Sequence, residues 1–216
     1  MEELRETLGD IPLLFTFRTL KEGGEKEIEK SVYVKLNEMA VKTGFADLVD
    51  AEAFTGTDEV NTIVETAHLY GVKVIASNHD FQKTPPKEEI VSRLCFMQEC
   101  GADIVKIAVM PQSKKDVLTL LLATEEMVRE HAKCPVVTMS MSEVGVVSRI
   151  CGEAFGSALT FGAEPNARSE RSKKRRRRDS SGQKSFEWCL KSCMTFDKRA
   201  INFDEKLVAL SLWMFL

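Results

Sequence analysis

Apolar residues along the first 160 positions recur with two alternating periods. Short β-branched runs stand at 11–17 (IPLLFTF), 46–52 (ADLVDAE), 73–80 (KVIASNHD), 102–110 (ADIVKIAVM), 135–141 (PVVTMSM) and 157–162 (SALTFG). Each has the length and residue types of a strand. Between them the spacing is helical. A stretch of about 25–43 sets Ile28, Val32, Leu36, Met39 and Ala40 on one face, and others span about 57–70, Pro85-Pro86 to Cys100, Ser113 to His131 and about 143–154. Ser113 with Asp116 three residues on is an N-cap signature. Six strands with helices between them predict a parallel α/β sheet, and doubly wound and barrel folds both fit that count. No GxGxxG or GxxxxGK[ST] follows any strand, which weakens a nucleotide-binding reading.

Composition adds one division. Hydrophobic residues make up 44% and charged residues 29% of 216, a balance that suits one domain with a real core, or a domain and a tail. Residues 1–162 hold 17 basic against 26 acidic side chains, and residues 163–216 hold 13 against 7. The character of the sequence changes at the same place. The expected division is therefore a partial barrel domain over 1–163 and a basic, poorly ordered tail over 164–216. In the tail, KKRRRR (173–178) resembles a nuclear localisation or nucleic-acid patch, but a solvated charge run is the favoured reading, so nucleic acid is not an expected partner. LVALSLWMFL (207–216) is too short to cross a bilayer, and no apolar run approaches the ~20 residues that would. Six cysteines stand at no metal-ligand spacing, which favours reduced thiols, a cytoplasmic setting and no metal.

Chemistry concentrates at the ends of the apolar runs. Arg18, Asp50, Glu52, His79, Lys106, Met139 and Met141 lie in or just past the second half of a run. In a barrel, that edge of the sheet is where catalytic groups are built. Lys106 interrupts an otherwise apolar strand, where an unpaired ammonium is costly. It could snorkel to the barrel mouth or pair with a carboxylate. It could also serve as a desolvated amine that attacks a ketone or aldehyde, giving an imine whose protonated nitrogen draws electrons. His79, one strand earlier, is a suitable base for the proton then loosened, or alternatively a hydrogen-bonded turn residue. An anionic substrate would need an arginine, and Arg18 and Arg149 are available.

These segments together resemble the type I 3-dehydroquinate dehydratases of the shikimate pathway. The likeness runs from about residue 4 to 163 and rests on PLLFTFRTLKEGGE, SNHDFQKTP, GADIVKIAVMPQ, TMSMSEVGVVSR and GSALTFGA, in order. It implies a TIM (β/α)8 barrel that is here incomplete, with about six parallel strands. It also implies dehydration of 3-dehydroquinate to 3-dehydroshikimate through a lysine Schiff base, with no cofactor. The resemblance places that lysine at Lys106, the general acid/base at His79 and its carboxylate partner at Glu22. Arg18 matches a substrate-hydroxyl contact and Arg149 the group that holds the substrate carboxylate. Met139, Met141 and Phe161 match pocket-wall positions, and the resemblance admits a homodimer.

The sequence also departs from that family. Members begin with two more strand–helix units, the second carrying a Glu and an Arg of the substrate site, and continue past GSALTFGA into a closing loop and a last helix. EPNARSERSKKRRRRDSSGQ stands at the latter position here. The sequence therefore reads as a truncated or frame-altered version of the enzyme. The second functional reading is an inactive barrel fragment whose basic tail binds nucleic acid or a partner protein.

Overall fold

In the computed structural model, which describes residues 1–160, the apolar runs form one five-stranded parallel sheet. Its strands are β1 (Leu14–Thr16), β2 (Leu48–Glu52), β3 (Lys73–Asp80), β4 (Ile104–Val109) and β5 (Val136–Ser140), paired in chain order. Helix α1 (Glu2–Leu8) precedes the sheet. The crossovers are α2 (Lys30–Lys42), α3 (Thr57–Leu69), α4 (Lys87–Glu99) and α5 (Lys114–Glu126), and α6 (Val146–Ile150) follows β5.

This strand order decides between the two architectures that the sequence left open. Parallel crossovers share one hand. A sheet whose neighbours are always consecutive therefore carries its helices on one face, whereas a doubly wound sheet must reverse its order to cover both. The arrangement is that of a barrel. Outward strand residues such as Val49, Val74, Val105, Ile107 and Val136 are buried against helix residues including Val60, Ile63, Ile90, Leu94 and Leu120. The other face carries a separate cluster of Leu14, Leu48, Ile75, Ile104 and Val137, with Met139 and Leu159 above them. Successive strand residues alternate between the two faces. Stepping by two from that apolar floor therefore leads to Asp50 and Glu52 on β2, Ser77 and His79 on β3, and Lys106 on β4.

Several local expectations hold. Ser113 caps α5 in a reciprocal box with Asp116. That helix reaches His131 through a wider π turn, Met127–His131, which buries Met127.

Others change. Helix α2 buries Tyr33, Asn37, Ala40 and Val41, while Val32 and Met39 turn outward. The apolar spacing misplaced this face because its buried members include two with polar atoms. The Tyr33 hydroxyl receives the Glu52 N–H at 2.9 Å, so a hydrogen bond satisfies the buried polar group. The helix expected over 143–154 is divided into α6 and a 3-10 turn at Gly152–Phe155. Of the sixth expected strand, residues 157–160 form no strand. Ala158 donates one backbone bond to Val136, but the next donor on β5, Thr138 N–H, goes to the Ser157 hydroxyl. Residues 161–162 and the tail, including KKRRRR and the apolar C-terminal run, lie outside the described residues.

One surface group ties the lower edge together. The Asp103 carboxylate accepts from Lys73 Nζ at 2.7 Å and the Val74 N–H at 2.9 Å, and it meets His68 Nε2 at 2.8 Å. Burial opposes its ionisation, but these donors outweigh burial and hold its pKa below the usual carboxylate range. Its stabilising effect is therefore present above the ordinary aspartate pKa and lost as acid protonates the folded form. Asp103→Ala should lower the free energy of unfolding by about 1–2 kcal/mol at pH 7, read from urea titration, and by less at pH 3.

Candidate active site

The polar cluster begins just beyond β1. That strand stops at Thr16, and the chain enters a 3-10 turn at Leu20–Glu22, closed by Gly23 at φ 89. A side chain at Gly23 would be strained there and would meet the Phe81 ring 2.3 Å away. The turn buries Glu22. Glu22 Oε2 lies 2.8 Å from His79 Nδ1 and accepts the His79 backbone N–H at 3.1 Å, and Oε1 accepts from Asn78 Nδ2 at 3.1 Å. Asn78 is in turn held by Arg93 of α4 at 2.9 Å. Phe81 stacks beside the imidazole, with ring centroids 6.3 Å apart at 21°.

Arg18 is the hub of the interior. Its Nη2 donates to Asp50 Oδ2 at 2.7 Å, and its Nη1 donates to Ser77 Oγ at 2.9 Å and Glu52 Oε1 at 3.2 Å. Glu22 Oε2 lies 3.4 Å from the same nitrogen. Glu52 also accepts the Thr19 N–H and hydroxyl. Lys106, only 6% exposed, reaches Asp50 Oδ2 at 3.5 Å.

These contacts divide the charges. Burial pushes the Lys106 pKa below that of a free lysine, against the pull of Asp50. Burial pulls the His79 pKa well below 6.5, helped by Arg18 and Lys106. It pushes Glu22 up to about 8, with nearby Glu52 adding to the effect and Arg18 opposing it. Asp50 stays ionised despite burial, because Arg18 and then Lys106 hold its pKa well below the carboxylate range. The site thus contains a weakened lysine, a neutral imidazole and one firmly ionised carboxylate, within water-excluding walls.

The structure gathers Lys106, His79, Glu22 and Arg18 in one place. Met139 is buried in the floor cluster, with Met141 half-buried against it. Arg149 stands on α6, where its guanidinium donates to the Ser142 carbonyl at 3.3 Å. Phe161 lies outside the described residues. Asp50 and Glu52 were visible in the sequence as strand-end carboxylates without an assigned role, and their period-two spacing in LVDAE was the available signal. Ser77, Asn78 and Arg93 gave none.

Fold and cluster together define an α/β-barrel protein with its polar groups gathered at the carboxyl ends of the strands. The chain belongs to the type I 3-dehydroquinase family, whose model matches residues 1–174. It is 62% identical over 161 residues to the 3-dehydroquinate dehydratase of Clostridioides difficile (strain 630), covering 74% of this chain and 63% of that one. It is 59% identical over 164 residues to the enzyme of Salmonella paratyphi B, covering 76% and 65%. A crystal structure of the type I enzyme from Clostridium difficile with covalently modified comenic acid superposes with a TM-score of 0.74 at 61% identity, covering 75% of this chain and 64% of that one. The chain thus spans just under two thirds of the length of these relatives.

Proposed function

We propose that this protein is a 3-dehydroquinate dehydratase, acting through an imine on Lys106. One observation carries the reading. A desolvated lysine on β4 sits beside an ionised aspartate, with a neutral histidine one strand away that is hydrogen-bonded to Glu22. The Lys106 amine adds to the substrate ketone, and loss of water leaves a protonated imine. Neutral His79, steadied through Nδ1 by Glu22, takes a proton from the adjacent carbon, and the electron pair is drawn toward the iminium nitrogen. The hydroxyl on the next carbon then leaves as water, taking up the proton that His79 returns. Hydrolysis of the imine releases 3-dehydroshikimate and restores the amine. The net change is loss of one water.

Arg18 would contact a substrate hydroxyl, Arg149 would hold its carboxylate, and Met139, Met141 and Phe161 would wall the pocket. That the Clostridium difficile enzyme was solved with covalently modified comenic acid suits a site with a nucleophile. Neither the family match nor the relatives support the inactive-fragment reading. Cys95, Cys100, Cys134 and Cys151 are free thiols, which suits a cytoplasmic setting; a homodimer is an assembly that the family resemblance admits. The test is incubation with 3-dehydroquinate, borohydride reduction and the mass of the intact protein, alongside the absorbance of the conjugated enone product. A mass increase by one reduced ligand is expected, and an unmodified chain would overturn the reading.

A further inference from the structure

We propose that Ser77 is a positioning residue that anchors Asp50 on the Arg18 side and thereby limits how closely it pairs with Lys106. This rests on the imine reading. Ser77 is fully buried and stands directly opposite Lys106 in the β3–β4 register. Its hydroxyl donates to Asp50 Oδ1 at 2.5 Å and accepts from Arg18 Nη1 at 2.9 Å. A single O–H thus bridges the two halves of the Arg18–Asp50 pair. Asp50 Oδ2 is held by Arg18 at 2.7 Å, and Lys106 Nζ lies 3.5 Å from it, at the outer limit of a hydrogen bond.

The titratable groups gathered around Lys106 are Arg18 beyond β1, Glu22 in the 3-10 turn, Asp50 and Glu52 on β2, and the neutral His79 on β3. Ser77 acts on this set through Asp50 and Arg18. Without the hydroxyl, Asp50 Oδ1 would be a buried carboxylate oxygen missing its donor, an expensive state. Turning the carboxylate toward the Lys106 ammonium replaces that donor. A closer, charge-assisted contact favours the protonated lysine, so less neutral amine is available to attack a ketone near neutral pH. The serine hydroxyl keeps the counter-charge near enough to face an iminium without drawing it closer to the amine, where it would strengthen the lysine's hold on its proton.

The experiment follows borohydride trapping of 3-dehydroquinate by the full chain across pH, read by intact mass, for wild type, Ser77→Ala, Ser77→Cys and Ser77→Thr. In the Ala and Cys variants the pH of half-maximal trapping should rise by about one unit, with roughly tenfold slower trapping at pH 7. Ser77→Thr, which keeps the hydroxyl, should return it toward wild type, a rescue that mere packing at this position would not give. Ser77→Cys conserves side-chain volume and decides the matter if Ser77→Ala does not fold. A wild-type pH profile in the Ala or Cys variants, or a Thr variant shifted as far as Ala, removes this role from Ser77 and leaves the imine reading standing. A wild-type chain that traps nothing removes both.

Discussion

Replacing Lys106 with alanine is expected to abolish the borohydride-trapped adduct and to lower dehydration by a factor on the order of 10⁴ or more, as loss of a covalent nucleophile does elsewhere. The fold should survive, because Asp50 keeps its bonds to Arg18 and Ser77 and removal of a buried cation relieves a desolvation cost. Lys114→Ala on α5 is the matched control and should leave trapping unchanged. The two lysines differ in surroundings rather than in chemistry. Lys106 is buried in the sheet, while Lys114 is the exposed first residue of α5. Adduct formation in the Lys106 variant would show that another amine carries the chemistry.

Replacing His79 with alanine separates the steps differently. Imine formation needs the lysine, whereas elimination needs a base on the adjacent carbon. The His79→Ala chain should still be trapped by borohydride, with dehydration reduced by about 10²–10⁴-fold. Its pH behaviour gives a second check in the unmodified protein. Burial, with Arg18 and Lys106 close by, holds the imidazole neutral well below its ordinary range. The His79 ring signals should therefore stay in their neutral positions as pH falls from 8 to 5, where an exposed histidine would titrate. A midpoint near 6.5 would mean that the pocket admits water in solution. Equal loss of trapping and turnover would instead give His79 a part in forming the imine.

What could be read from the chain depended on contrast. Lys106 was conspicuous because it is the one charge among six strand positions, all of them buried, and the parallel pattern followed from the alternation of periods. Barrel and doubly wound sheets share that pattern, so strand pairing was needed to separate them. Ser77 went unnoticed because serine in a strand is unremarkable; its importance comes from two partners 27 and 59 residues away in sequence. The face of α2 was misplaced for a related reason: Asn37 and Tyr33 are polar by type yet fully buried. At 157–160 the residues suit a strand, but Ser157 takes a backbone donor of β5 with its side chain, and the ladder does not continue. Side chains that replace backbone partners leave no periodic trace.

The consecutive order of the strands also bears on how the protein opens. Among the described residues, strands β2, β3 and β4 each have a paired neighbour on both sides, whereas β1 pairs with β2 over three residues. Amide hydrogens exchange through local opening, and opening begins where fewest neighbours must be released. Amides of β2 to β4 should thus be the last to take up deuterium, and those of β1 and α1 among the first. Asp50, Ser77, His79 and Lys106 all stand on the slow strands, while Arg18 and Glu22 approach them from the fast side. Breathing of the β1 side would carry the arginine and the histidine's carboxylate partner away together and leave the lysine and its aspartate in place.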